Sequence, residues 1–112
     1  MYYVSKRMEI IAERKLTLDY RSPSTTRQTN KWTFTIYCKS KTLNSNGMVI
    51  DFDVIKKIIH GKLNNQYIYE IIPHNPTAEN IAKWCCDEIP SAWKCEVQEL
   101  KGNTATYIVD DF

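Results

Sequence analysis

NPTAENIAKWCCDEIPSAWKCEVQE, residues 75–99, holds a helix and a strand back to back, and the change of period between them decides the fold. Asn75 and Pro76 open the helix, the amide as a cap and the proline at a first position where its missing N–H costs nothing. Ile81, Ala82, Cys85 and Ile89 then recur at helical spacing with Trp84 beside them, and Pro90 stops the run. From Trp93 the period drops to two residues: Trp93, Cys95 and Val97 share one face, Lys94, Glu96 and Gln98 the other. Lys101-Gly102-Asn103 turns the chain, and Thr104 to Val109 is expected to return as the partner strand.

One residue breaks this pattern. In phase with Cys95 and Val97, Glu99 falls on the apolar side of its strand. An unpaired carboxylate in a dry site costs on the order of several kcal/mol. Either a partner or ligand offsets that cost, or the strand ends there in water; phase alone leaves both open.

Outward from this segment the patterns are similar. Trp32, Phe34, Ile36 and Cys38 alternate with Thr33, Thr35 and Tyr37, a half-buried strand. Met8, Ile10 and Ala12 alternate with Glu9, Ile11 and Glu13, an earlier strand of the same kind. Polar RSPSTTRQ (residues 21–28) is the loop between them. After the turn cluster Leu43 to Gly47, Phe52, Ile55, Ile58 and Ile59 mark a first helix, with Asp51 or Asp53 as its cap and Gly61 at its end. Two strands, two helices and two strands (ββααββ), joined by short turns, make a single α+β domain over residues 1–112: an antiparallel four-stranded sheet backed by helices on one face.

Composition narrows the function classes. With 43% hydrophobic and 25% charged residues the chain is a globular domain, not a disordered one. A net charge of +2 gives no basic stripe for nucleic acid; Lys6, Arg7, Arg14, Lys15, Arg21 and Arg27 are spread out among acidic residues and read as a solvated face. No apolar run is long enough to cross a bilayer, and MYYVSKRMEI lacks a signal-peptide core, so neither a membrane nor a nucleic acid is an expected partner. The four cysteines, Cys38, Cys85, Cys86 and Cys95, form neither a CxxC knuckle nor a disulfide framework. Reduced core thiols in a cytoplasmic protein are the expectation.

Three strings, taken in order, resemble one family: 6-pyruvoyl-tetrahydropterin synthase and its relative 6-carboxy-tetrahydropterin synthase. They are Gly47 to Phe52, Asn75 to Ala82, and Glu99 with Ala105 and Tyr107, although Leu100 stands where a threonine is usual. The resemblance implies the tunnelling fold, with sheets joined edge to edge into a barrel-like ring and active sites between subunits of a trimer or hexamer. It also implies a zinc held by three histidines, and the corresponding positions here are Arg14, Gln28 and Asn30. The family's nucleophilic cysteine falls on Ser24 and its Asp-His dyad on Asn64 and Asn65. Amides and a guanidinium are poor zinc ligands, and asparagine cannot shuttle protons. The chain's only histidines are His60 and His74.

The binding end of the family's site is present. The resemblance gives Glu99 the guanidine-like edge of a pterin and places Thr77 and Glu79 close to the ring, although Thr and Glu in a first helical turn also favour the helix dipole without any ligand. Tyr67 and Tyr69, read as loop residues, would stack on a planar ligand or seal a subunit interface. The expectation is a homo-oligomeric, non-catalytic binder of a pterin- or purine-like molecule, with no metal and no cofactor. The alternatives are a metal-independent enzyme using His74 as proton carrier, or a ring scaffold that binds other proteins.

Overall fold

Strict alternation builds the sheet. In the computed structural model, which describes residues 1–22, 28–73, 75–100 and 102–109 (the Gln28 side chain excepted), strands β1 (Tyr2–Arg14) and β2 (Gln28–Ser40) pair antiparallel from Tyr2↔Ser40 to Arg14↔Gln28. Met8, Ile10 and Ala12 of β1 and Trp32, Phe34, Ile36 and Cys38 of β2 are buried on one face. Strand β3 (Ala92–Glu99) continues the sheet and β4 (Thr104–Ile108) closes it, in the order β1-β2-β3-β4. Gly102, with φ at 94°, supplies the left-handed conformation in the last turn that a side chain would resist.

Between the two hairpins the chain forms α1 (Phe52–Leu63), α2 (Ile68–Ile71) and α3 (Ala78–Glu88). They cover the apolar face: Ile55, Ile59 and Leu63 of α1, Ile68 of α2, and Ile81, Ala82, Cys85 and Cys86 of α3 are all buried in one cluster with the strand residues. Burying such side chains stabilises the fold by roughly 1.5–3 kcal/mol each, which makes this cluster the main favourable term. No helix among the described residues is long and apolar enough to cross a membrane.

The helices depart from the sequence reading in several places. There are three, not two, because Tyr67–Tyr69 lies in and beside the short α2, where Ile68 is buried. One turn is too short for a period to show. Gly61 does not end α1; the helix runs on so that Leu63 is buried, and Asn65, at φ 58°, takes the left-handed position beyond it. Asp51 is the α1 cap, accepting from the Asp53 N–H at 2.8 Å. Asn75 is not the cap of α3: Thr77 is, accepting from the Asn80 N–H at 3.2 Å. Asn75 instead holds the loop after β1, accepting from the Thr17 N–H and donating to the Thr17 carbonyl, both at 2.8 Å.

Trp93 also leaves its expected face. Lys94 pairs with Tyr37 and Ala92 with Cys38, so Trp93 is the extra residue of a β-bulge. The bulge turns its ring toward Tyr3 and Tyr37, 6.0 and 6.1 Å away on the outer face of the sheet. The phase of Cys95 and Val97 is unaffected, and both are buried.

All four cysteines are free and buried. Burial pushes the Cys38, Cys85 and Cys86 thiols up, Cys86 to about 12. Ellman's reagent at about pH 8 should therefore leave the folded protein unmodified and label every cysteine after denaturation. A thiol whose pKa rises on folding favours the folded state fully below its ordinary 9.0 and loses that contribution as pH climbs through about 12. The urea midpoint should fall across that window.

Candidate functional site

The inward face of the sheet changes character at one end. Arg14 follows Met8, Ile10 and Ala12 in phase, and Glu99 stands directly opposite Trp32 across the β2–β3 pair. The Arg14 guanidinium lies over the Trp32 indole, 4.7 Å from the ring centroid, and its Nη2 donates to Glu99 Oε1 at 2.7 Å. Only 8% of the Arg14 side chain and 16% of the Glu99 side chain remain exposed. Each charge alone would be costly there; together they form a charge-assisted bond, with the guanidinium over the electron-rich ring.

This pair answers the question that strand phase left open. Glu99 is inward, and its partner is within the chain. It also corrects the reading of Arg14 as part of a solvated face. The signal was present, since Arg14 is the next member of the Met8-Ile10-Ala12 series.

Above the pair opens a cavity of about 510 Å³. Thr77 and Glu79 from the start of α3 line it together with Arg14 and Glu99, and Asn103, Thr104 and Thr106 of the closing hairpin complete one wall. The structure thus brings together all three residues singled out for ligand contact. Glu79 is exposed, while the Thr77 hydroxyl is engaged in capping α3. The hairpin residues were not anticipated; the register Gln98↔Thr104 next to Glu99 is what carries them there.

The zinc positions assigned by resemblance also fall at this end: Arg14 pairs with Gln28 and Ala12 with Asn30. Their donor set is a guanidinium and two amides, which does not suit zinc. Among the described residues no group of three or more His, Cys, Asp or Glu is arranged to hold a metal ion. Ser24 and His74 lie outside the described residues.

Asn64 and Asn65, at the dyad positions, grip the outer edge of β1 instead. Asn64 Oδ1 accepts from the Ile11 N–H at 3.0 Å, and the Asn65 N–H donates to the Ile11 carbonyl at 2.6 Å. The Glu13 N–H extends this clamp to the Gln66 carbonyl at 3.0 Å. The described lining of the cavity includes neither asparagine, nor His60, nor the Tyr67 and Tyr69 rings, whose centroids lie 5.7 Å apart.

A four-stranded antiparallel meander with its helices inserted between two hairpins and packed on one face is the tunnelling fold. Solved structures share it along nearly the whole chain. The 6-pyruvoyl tetrahydropterin synthase of Caenorhabditis elegans superposes with a TM-score of 0.75 at 13% identity, over 97% of this chain and 96% of that one. An uncharacterised protein of Wolinella succinogenes gives 0.72 at 13% identity, over 97% and 98%. The Plasmodium vivax 6-pyruvoyl tetrahydropterin synthase gives 0.63 at 12% identity, over 98% and 99%. The sequence model of the 6-pyruvoyl tetrahydropterin synthase family matches residues 3–108, so the chain belongs to that family. No curated protein is significantly similar in sequence.

Removing either partner of the pair strands the other. Arg14→Ala and Glu99→Ala should each cost about 2–4 kcal/mol in chemical denaturation, below the full buried-pair penalty because the site is partly open. The double variant should cost at least about 1 kcal/mol less than the sum of the two.

Proposed function

We propose that this chain is a non-catalytic member of its family that binds a planar, pterin- or purine-sized heterocycle, in a pocket completed between subunits of a ring-shaped homo-oligomer. The observation that carries the reading is convergence. Thr77, Glu79 and Glu99 come from the start of a helix and the end of a strand, and they line one open cavity of about 510 Å³. That volume is in the range of small-molecule sites. A carboxylate on its floor suits a ligand edge carrying paired N–H donors, the arrangement found in pterins and guanine.

The relatives' names supply the pterin as a first choice of ligand. Amide side chains at the dyad positions neither titrate near neutral pH nor pass a proton, which is why the proposal stops at binding. Unpaired buried thiols support a reducing, cytoplasmic setting. An enzyme that uses His74 for proton transfer is a weaker reading, because nothing described around the cavity assists it.

A scaffold without ligand is the second reading, and the Arg14–Glu99 bond favours it, since both charges are satisfied within the chain. Calorimetry with pterin, guanosine and GMP separates the two. Binding that Glu99→Gln weakens at least about tenfold, with an unchanged circular dichroism spectrum, is the expected result. Affinity indifferent to Glu99→Gln would remove the assigned role. An intact oligomer that binds none of these would leave the scaffold.

A further inference from the structure

The guanidinium of Arg14 is a planar group with N–H donors along its edge. It lies over an indole and gives one of those donors to a carboxylate: its carbon lies 4.7 Å from the Trp32 centroid and its Nη2 2.7 Å from Glu99 Oε1. A pterin or guanine bound through its 2-amino edge would use the same features, the carboxylate for its N–H pair and an aromatic face for its ring. We propose that Arg14 is a built-in competitor for the ligand of this cavity, occupying Glu99 until a heterocycle with a guanidine-like edge displaces it.

This rests on the binding reading above and adds a regulation to it. Glu99 is the carboxylate beside the Arg14 guanidinium, and a neutral ligand replaces a charged donor there. The ligand's bonds to the carboxylate lack the attraction between two full charges that the Arg14–Glu99 pair has, so the native chain binds weakly. The apparent affinity is the intrinsic affinity reduced by the small fraction of molecules in which Arg14 has swung away. Arg14 is also among the cavity's lining residues, so once displaced it stays beside the ligand rather than leaving the site. Mutation at Arg14 and mutation at Glu99 therefore move affinity in opposite directions. A purely structural ion pair would not give that sign.

The test is a calorimetric titration of pterin into the wild type, Arg14→Met and Glu99→Gln, each in its native oligomeric state. Methionine keeps an unbranched apolar stem over Trp32 and leaves Glu99 open. Arg14→Met should bind pterin at least about tenfold more tightly than wild type, and Glu99→Gln more weakly. If Arg14→Met binds no more tightly than wild type, including the case in which neither binds, the competitor is overturned. If binding is observed and Glu99→Gln leaves it unchanged, the binding reading falls and the competitor falls with it. An NMR titration of the wild type covers failure of Arg14→Met to fold: pterin must shift the Arg14 Nε–Hε resonance, and a resonance unmoved at the highest soluble pterin concentration overturns the proposal.

Discussion

The polar end of this domain depends on one interaction, the Arg14–Glu99 bond laid across Trp32. It joins the end of β1 to the end of β3 over the intervening strand, at the point where the sheet's apolar face gives way to an open cavity. Each charge alone would be costly there, because taking an ion out of water without a partner is unfavourable. The indole adds a cation–π contact beneath the guanidinium, whose carbon lies 4.7 Å from the ring centroid. The apolar cluster beneath would fold a sheet with helices regardless of this pair. What the pair fixes is the shape and charge of the surface that a ligand would meet.

The same end of the sheet carries the positions that the resemblance assigns to metal ligands. These three strand positions carry a guanidinium and two amides, a donor set that does not suit zinc. The positions assigned to the proton relay have gone to architecture. Asn64 through its side-chain amide and Asn65 through its backbone N–H satisfy backbone groups of Ile11 on the outer edge of β1. Left-handed Asn65 lets the chain leave α1 and run beside that edge, as far as an isolated bridge between Glu13 and Tyr67.

How much of this could be read from sequence follows from the length of each signal. Met8-Ile10-Ala12 and Trp32-Phe34-Ile36-Cys38 repeat often enough to fix both strands and their inward faces, and Ile81-Ala82-Cys85 does the same for α3. The phase of Glu99 was legible; its partner was not, because a pairing between residues 14 and 99 depends on strand order and register. Arg14 itself was legible in phase and was obscured by its charge, which suggests a solvated face until an aromatic and a carboxylate are found beside it. One-residue events left no trace. The bulge at Trp93 reverses a single side chain, Leu63 outweighs the glycine before it, and Thr77 takes the cap expected of Asn75 while Asn75 grips Thr17. The short α2 has no period to detect.

A guanidinium paired with Glu99, at a position the resemblance assigns to a metal ligand, should keep zinc from this end of the sheet. Metal content tests it most directly: protein purified without chelators from zinc-supplemented culture, assayed by inductively coupled plasma mass spectrometry and then titrated with zinc chloride. Far less than one zinc per chain and no gain in melting temperature on adding zinc are expected. Tightly held zinc at one per chain, surviving dialysis and raising the melting temperature, would contradict it.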